Sequence, residues 1–354
     1  MTDAPYTVDP RRRLLALTQG YRVTQVLYAT AALGIAEALS SGARKGDDVA
    51  KAIEVPEHML VRLLRALVSL DLVTEPRPGE FALTESGALL DGRSPGSVRA
   101  GILFEGSVLY QHWSDLAESI RTGENVYRRR YGVDAWTYRQ RNPEWGNLFD
   151  AAMQEYSTVR VSEVVDAYDF RRFSTIVDVG GGRGSLLAGI LKTHPTGSGI
   201  LFDQPAVVAN APSVLASAGV ADRCTVVGGS FFDSVPAGGD AYILSVVIHD
   251  WDDEPAITIL GTCRRAMRSS SRLLLIERVL PDNPRDDLSA YLQDLNMLHS
   301  LSGRERSETQ FATLLTRSGF RLTRLVRTQG PFVVIEGEPV ERPPHDHLAR
   351  SSNG

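Results

Sequence analysis

The second half of the chain alternates between short apolar runs and longer amphipathic stretches. The short runs are rich in β-branched residues, as buried strands are, whereas the longer stretches repeat apolar residues every three or four positions, as helices do. The predicted strands cover 176–179, 199–202, 224–228, 241–247, 272–278, 320–326 and 332–337, and the predicted helices 185–193, 205–218, 254–268 and 307–318. This alternation predicts an α/β fold with a parallel sheet, helices on both faces and an antiparallel edge.

The first half follows a helical pattern that one hairpin interrupts. Apolar residues recur at helical spacing over 14–40 and along a helix that begins at Pro56. Two short strands, 72–75 and 80–84, flank a Pro-Arg-Pro-Gly turn, so helices followed by a hairpin predict a winged-helix pattern. Residues 100–172 are predicted to be helical throughout.

The length of the chain, 354 residues, exceeds what one ordinary core holds, so at least two domains are expected. We expect a helical domain with the winged-helix pattern over 1–100, a helical connector over 101–172 and the α/β domain over 173–340. Residues 341–354 form a polar, proline-containing tail that we expect to be disordered, although His345 and His347 are candidate metal ligands there.

The net charge is −5, and a chain without a basic excess has little attraction for nucleic acid or anionic membranes. The candidate recognition helix of the winged-helix pattern carries only Arg62 and Arg65 beside Glu57 and Asp71, too few cations for several phosphate contacts. DNA binding therefore stays an alternative of low weight.

Cellular location and metal chemistry are constrained by what the sequence contains. No apolar run approaches the length of a membrane span, and the N-terminus lacks a signal-peptide core, so we expect a cytoplasmic protein. Cys224 and Cys263 lack the spacing of metal ligands, and we expect them to be packed as small apolar residues. No metal is expected in the chemistry.

The most informative stretch is 174–187, in which an apolar strand runs into glycines and then into a helix. Gly180, Gly182 and Gly184 give the pattern G-x-G-x-G, which allows a ligand to approach the backbone closely. The dinucleotide fingerprint needs glycine or alanine at Ser185, so a smaller nucleoside ligand is favoured over a nicotinamide dinucleotide. An ordinary strand-to-helix turn is the alternative. Asp203 ends the next strand, where a carboxylate can bind ribose hydroxyls, and this favours the nucleoside.

Polar or aromatic groups follow each of the next three strands at the edge where open α/β sheets bind ligands. Ser230 and Phe231 follow the third strand, and the aromatic ring is a candidate to stack on an adenine. His249 follows the fourth strand and is the candidate general base, with Glu277 at the end of the neighbouring strand as its partner. The alternative is that both are ordinary surface groups.

Four motifs in order resemble one family. They are Asp178-Val-Gly-Gly-Gly-Arg-Gly184, the Phe231-Phe232 step, Ile248-His-Asp-Trp251 and Gly303-Arg-Glu-Arg306. Together they resemble the O-methyltransferases of the plant caffeate type that use S-adenosyl-L-methionine, and more closely the bacterial branch that methylates antibiotics and aromatic polyketides. The resemblance covers roughly 14–338. It implies a Rossmann-like class I methyltransferase domain preceded by an all-α, winged-helix dimerisation domain, and hence a homodimer.

The resemblance also implies roles for single residues. Gly180 and Gly182 would contact the methionine part of the cofactor, Asp203 its ribose, and Ser230 and Phe231 its adenine. Ser245 would lie at a position that carries lysine in plant members. His249 would be the general base with Glu277 and Glu305 as flanking carboxylates. The implied walls of the substrate pocket are Phe149, Met153, Met297 and His299, which favour an apolar, aromatic acceptor with a hydroxyl group.

Two features qualify the resemblance. Ser230 stands where the family usually has aspartate, and a hydroxyl accepts a hydrogen bond more weakly than a carboxylate does, unless Asp233 compensates. His249 is present, although many bacterial relatives lack this histidine, and its presence favours methyl transfer with proton removal. An enzyme of the same fold that hydroxylates or closes a ring is the first alternative, and a DNA-binding regulator or a nicotinamide oxidoreductase is less favoured.

Overall fold

A computed structural model describes residues 9–340, so the predicted tail 341–354 lies outside the described residues. The chain forms two compact units. The first unit extends to Ala117 and includes Trp136–Tyr156, and the second comprises Glu118–Ala135 and the chain from Ser157 onward. No helix in the described part combines the length and apolarity needed to cross a membrane.

The first unit and the segments that link it to the second are mostly helical. Its helices and short strands are α1 Pro10–Leu17, α2 Tyr21–Ala32, α3 Ile35–Leu39, β1 Arg44–Lys45, α4 Gly46–Ala52, α5 Glu57–Ser69, β2 Val73–Arg77, β3 Glu80–Leu83, α6 Glu85–Ala88, α7 Arg99–Phe104, a π-helical turn Glu105–Leu109 and α8 Tyr110–Trp113. The linking helices are α9 Leu116–Thr122, α10 Val126–Tyr131, α11 Ala135–Arg141 and α12 Pro143–Ala167.

The predicted hairpin is present as β2 and β3, and the sequence pattern missed the two-residue strand β1, which completes a sheet of order β1-β3-β2. Leu60, Leu64 and Leu67 of α5 face a core that also contains Phe81 of β3. The predicted continuous helix over 100–172 is wrong in detail, because turns separate α7 to α12 and α12 ends at Ala167.

The second unit contains the predicted α/β domain. After a 3-10 turn at Phe170–Arg172, its elements are β4 Thr175–Val179, α13 Ser185–Thr193, β5 Ser198–Asp203, α14 Pro205–Val208, α15 Ala211–Ser217, β6 Cys224–Gly228, β7 Ala241–Ser245, α16 Asp253–Ala266, β8 Arg272–Leu280, α17 Leu288–Leu301, β9 Arg306–Ser307, α18 Glu308–Arg317, β10 Phe320–Arg327 and β11 Phe332–Pro339. Helix α17 was not predicted, and the predicted helix 205–218 is two helices.

The main sheet has the order β10-β11-β8-β7-β4-β5-β6, with β9 paired to β8 off this path. Strands β4 to β8 are parallel, whereas β10 and β11 pair antiparallel, which confirms the predicted fold class. Alternate residues of one strand enter two separate cores: Val177 of β4 belongs to one core and Ile176 to the other. A sheet buried on both faces explains why these strands are apolar throughout.

Candidate active site

The glycine loop after β4 adopts a backbone that other residues rarely take. Gly180 has φ 71° and Gly182 has φ 61°, both in the left-handed region. A Cβ atom at Gly180 would lie 2.8 Å from Cγ2 of Val247, closer than side-chain carbons approach one another. The loop therefore needs glycine at Gly180 for two reasons, since both the φ angle and the contact exclude a side chain.

Asp203 at the end of β5 faces this loop. Its Oδ2 accepts a hydrogen bond from the backbone N–H of Gly182 at 2.9 Å, and its Oδ1 accepts one from the N–H of Gln204 at 2.6 Å. Burial raises the pKa of Asp203, and these two N–H groups oppose that shift. Each carboxylate oxygen retains a lone pair, so Asp203 can also accept hydrogen bonds from the hydroxyls of a bound sugar.

Phe231 lies beside the same loop, because its Cε1 would be 3.6 Å from a Cβ at Gly180. Its ring centre is 5.1 Å from that of Phe232 and 6.2 Å from that of Trp251, in edge-to-face arrangements that fix its orientation. The Ser230 hydroxyl accepts a hydrogen bond from the N–H of Phe232 at 3.2 Å. This leaves Ser230 with one further lone pair and its proton for a ligand.

Besides buried carboxylate oxygens, two buried hydrogen-bond donors in this part of the second unit lack hydrogen-bond partners among the described residues. They are the hydroxyl of Ser245, at the end of β7, and Nε of Arg160 on α12. Burial lowers the pKa of Arg160 to about 10, while the charges of Glu277 and Asp178 oppose that shift. Arg160 could not be recognised from the sequence, since a single arginine in a long helical region carries no distinguishing pattern.

Asp178 is the acidic residue within the apolar strand β4 and precedes its last residue, Val179. It is buried, and neither of its carboxylate oxygens has a hydrogen-bond partner of good geometry among residues 9–340. Burial and the nearby Asp203 raise the pKa of Asp178 to about 7, although Arg160 opposes this. Unsatisfied buried groups of both signs around a glycine loop fit a zwitterionic ligand, because an ammonium and a carboxylate would each find partners.

His249 lies in a 3-10 turn, Ile248–Asp250, that follows β7. The turn is entered through Val246, whose φ of 57° is an outlier for a β-branched residue. Glu277 of β8 stabilises this entry, since its Oε1 accepts hydrogen bonds from the N–H groups of Val247 at 3.1 Å and Ile248 at 2.8 Å. The chain therefore leaves the sheet in one fixed direction.

Three carboxylates surround the buried imidazole of His249. Nδ1 lies 2.9 Å from Oε1 of Glu305 and 4.0 Å from Oε2 of Glu277, and Nε2 lies 3.3 Å from Oδ1 of Asp250. The structure brings together all three predicted catalytic residues, His249, Glu277 and Glu305, but the two glutamates make different contacts. Glu305 makes the short contact with the ring, whereas Glu277 binds the backbone of the turn.

The charge of this cluster controls the proton affinity of the ring. Burial lowers the pKa of His249, but Glu277, Asp250 and Glu305 together outweigh burial and raise it to about 10. For the carboxyl of Glu277, burial acts in the other direction and raises the pKa to about 7, although the nearby His249 opposes that rise. At neutral pH the free site therefore holds an imidazolium among carboxylates.

One atom each from His249, Glu277 and Glu305 also lie within 4.8 Å of one another, a spacing that could hold a metal ion. The sequence-based expectation that no metal takes part in the chemistry stays a prediction, because this spacing shows only that a cation could be held. Nδ1 of His249 already lies 2.9 Å from Oε1 of Glu305, so a cation bound through Nδ1 would replace that contact.

The predicted wall residues lie in both units. In the first unit, Phe149 and Met153 of α12 are half-buried against a cluster that includes Phe104. In the second unit, Met297 and His299 of α17 are buried, and Nδ1 of His299 lies 2.9 Å from the Ser119 hydroxyl. The imidazole of His299 therefore has a partner within its own unit.

Comparison with known proteins gives two family matches. Residues 113–321 match the O-methyltransferase domain, and residues 15–91 match the O-methyltransferase dimerisation domain. The second match overlaps the predicted winged-helix region, and the first contains the predicted catalytic, cofactor-binding and pocket-wall residues.

Individual relatives cover almost the whole chain. A phenazine O-methyltransferase, PhzM, of Lysobacter antibioticus is 41% identical over 327 residues, which span 92% of this chain and 96% of the relative. An 8-amino-8-demethylriboflavin N,N-dimethyltransferase of Streptomyces davaonensis is 36% identical over 331 residues, which span 92% of this chain and 94% of the relative.

Solved structures agree with these relatives. The crystal structure of LaPhzM is similar with a TM-score of 0.88 at 40% identity, covering 94% of this chain and 100% of that chain. Human N-acetylserotonin methyltransferase in complex with S-adenosylmethionine gives a TM-score of 0.86 at 30% identity, covering 96% and 100%. Family, fold and unsatisfied polar groups agree on the cofactor, which is S-adenosylmethionine. The chain belongs to the O-methyltransferase family.

Proposed function

We propose that this enzyme transfers a methyl group to the hydroxyl, in particular a phenolic hydroxyl, of a small aromatic natural product, with His249 as the general base. The observation that carries the proposal is the buried imidazole in the turn after β7, whose Val247 packs against the Gly180 loop. Its Nδ1 lies 2.9 Å from Oε1 of Glu305, and Nε2, whose contact with Oδ1 of Asp250 is longer at 3.3 Å, is the atom that we assign to proton transfer.

The residues around the glycine loop are suited to the cofactor. We propose that Gly180 and Gly182 contact its methionine part and that Asp203 binds its ribose. Ser230 and Phe231 would bind its adenine. Arg160 and Ser245, the two unpartnered donors, are suited to a carboxylate. When bound, the cofactor supplies an electrophilic methyl group on a positively charged sulfur.

The proton affinity of His249 suits a phenolic acceptor. A free phenol has a pKa near 10, the value for tyrosine, so few acceptor molecules are ionised at neutral pH. The pKa of His249 is also about 10, so a ring that has first lost its own proton takes the proton of the acceptor oxygen at Nε2 at little cost in free energy. The imidazolium that results is stabilised by Glu305 on one side and Asp250 on the other. General base catalysis of this kind typically contributes roughly 10²–10⁴-fold.

The test compares His249→Gln with wild type in a single-turnover assay that measures S-adenosylhomocysteine release with a hydroxylated aromatic acceptor. We expect a loss of about 10²-fold or more in rate. We also expect the dissociation constant for S-adenosylmethionine to change by less than about threefold. His58→Gln, at an exposed position on α5, is the matched control. An unchanged rate for His249→Gln would overturn the role of His249 as base.

A second candidate function is methyl transfer to an amine nitrogen, since one relative is named as an N,N-dimethyltransferase. An amine must also lose a proton, so the same base serves either acceptor. Paired acceptors that differ only in a hydroxyl or an amino group separate the two functions. We expect the hydroxyl compound to react faster, and the opposite order would favour the second function.

We also propose that the enzyme is a homodimer, with a dimerisation domain over 1–100, a connector over 101–172 that contributes to the substrate pocket, and a catalytic domain over 173–340. The match to a dimerisation domain supports the dimer, as do the exposed leucines Leu14, Leu15 and Leu17 of α1. Light scattering on the full chain tests it, with twice the monomer mass of 38.7 kDa expected.

A further inference from the structure

Arg306 is among the largest fully buried side chains of the described residues, with 1% of its surface exposed. Its Nε and Nη2 donate to Oδ1 of Asp253 at 3.1 and 2.8 Å, and Nη2 also donates to the carbonyl of Trp251 at 2.9 Å. Its Nη1 donates to the carbonyl of Ile248 at 3.2 Å. Every nitrogen of the guanidinium therefore has an acceptor.

The two carbonyls belong to residues on either side of His249. Ile248 precedes the histidine, and Trp251 follows it by two positions, so one rigid planar group holds both ends of the turn that carries the imidazole. The hydrogen bonds named above go to the backbone of the turn and to Asp253, and none of them goes to the imidazole. We therefore expect Arg306 to affect catalysis through the position of His249.

The residues before Arg306 reinforce this arrangement. The N–H of Arg304 donates to the carbonyl of His249 at 2.9 Å. A Cβ at Gly303 would lie 2.1 Å from that same carbonyl oxygen, so glycine allows the two backbones to meet. Glu305 lies between these contacts, and its N–H donates to Oδ1 of Asp294 at 2.8 Å. The segment 303–306 thus fixes the position of the His249 imidazole relative to the carboxylate of Glu305.

We propose that Arg306 is a positioning residue for the methyl transfer reaction, which acts by holding the turn that presents His249. The proposal rests on the proposed function, because it requires His249 to act as the base. Lysine cannot replace arginine here, since an ammonium group is a single point charge and cannot reach acceptors on both sides of the turn. A displacement of a catalytic group by about 1 Å can cost roughly 10²-fold in rate.

The test uses two substitutions in the pair of Arg306 and Asp253, here called the clamp, and makes each of them in two forms of the enzyme. Arg306→Lys retains the positive charge but loses the planar group of several donors. Asp253→Asn weakens the ion pair that holds Arg306, and because the side chain of Asp253 is 41% exposed, we expect the fold to be preserved. Glu254→Gln is the matched control, because Glu254 neighbours Asp253 on α16 and pairs with Arg317 away from the turn. Each variant is made in wild type and in His249→Gln.

In the wild-type background we expect kcat to fall by about 10- to 100-fold for Arg306→Lys and about 3- to 10-fold for Asp253→Asn, with KM for the acceptor changed by less than about threefold. Glu254→Gln should leave kcat unchanged. In the His249→Gln background neither clamp variant should lower kcat further, because there is no base left to position.

Equal losses in both backgrounds would show that Arg306 acts through general stability or through another group, and would overturn the inference. So would an unchanged kcat for both clamp variants when His249→Gln alone is impaired. If Arg306→Lys does not fold, Asp253→Asn carries the comparison alone. Failure of the proposed function gives a different pattern, since His249→Gln would then retain the wild-type rate by itself.

Discussion

Replacing Glu305 by glutamine tests how the site sets the proton affinity of its base. Glu305 is fully buried, and its Oε1 lies 2.9 Å from Nδ1 of His249, so its negative charge stabilises the protonated ring. Glutamine has nearly the same shape and can still accept a hydrogen bond from Nδ1. The substitution therefore removes the charge while leaving the contact in place.

The size of the effect follows from the distance. Two unit charges 2.9 Å apart interact by about 6 kcal/mol at an effective dielectric constant of about 20, which is an upper bound for a pair that solvent and neighbouring groups screen. One opposite charge this close typically shifts a pKa by roughly one to three units. Glu277, Asp250 and Glu305 together raise the pKa of His249 to about 10, so removing the charge of Glu305 must lower that pKa.

The assay is the pH dependence of kcat/KM between pH 6 and 10.5. In wild type the ring must lose its proton before it can accept one, so we expect kcat/KM to rise with pH as His249 is deprotonated. In Glu305→Gln the rise should occur roughly one to three pH units lower. The plateau should also fall by about tenfold, because a weaker base accepts the acceptor proton less readily.

Glu254→Gln, at an exposed position on α16, is the control and should leave the profile unchanged. A rise at the same pH in Glu305→Gln and wild type would refute the reasoning, because it would mean that the titrating group does not sense this carboxylate. A shift to higher pH would refute it as well, because removing a negative charge cannot strengthen the proton affinity of a neighbouring imidazole.

Three further predictions concern the cofactor site. Gly180→Ala should raise the dissociation constant for S-adenosylmethionine by about tenfold or more, because its Cβ would meet Val247. Gly219→Ala is the control and should leave the dissociation constant unchanged, because Gly219 has the same φ of 71° but no atom within 4 Å of the added Cβ. Isothermal titration calorimetry measures both constants. Arg160→Gln should weaken cofactor binding by about 10- to 100-fold by loss of a charged hydrogen bond, measured in the same way. Burial raises the folded pKa of Asp178 to about 7 from an unfolded value near 3.9, so its contribution to stability is present at pH 4 and is lost as pH rises through 7. Asp178→Asn should therefore gain in unfolding temperature relative to wild type between pH 5 and pH 8 in the absence of cofactor, and an equal difference at both pH values would contradict this.

The sheet could be predicted from the sequence because its strands are buried on both faces. Such strands are continuous apolar runs, and β4, β5 and β6 lie within one residue of the predicted bounds at each end. Helix α17 was missed, since its exposed Leu288 and Leu292 blur the division between an apolar and a polar face. The predicted helix 205–218 breaks between Val208 and Ala211, and Pro212 lies in the first turn of the second helix.

The candidate site could be predicted in composition but not in contacts. His249, Glu277 and Glu305 were all named from the sequence, and the structure brings them together. Which carboxylate reaches Nδ1 depends on the path of the chain between β8 and β9, and no local pattern encodes that path. The roles of Arg306 and Arg160 depend on contacts over long sequence separations, for the same reason.

A crystal structure with S-adenosylhomocysteine and a phenolic acceptor bound would show directly whether His249 is placed to act as the base. We expect Nε2 of His249 within hydrogen-bond distance of the acceptor oxygen, about 2.6–3.2 Å, with Nδ1 still bonded to Glu305. An imidazole turned away from the acceptor, with no direct contact and no single water between them, would contradict it.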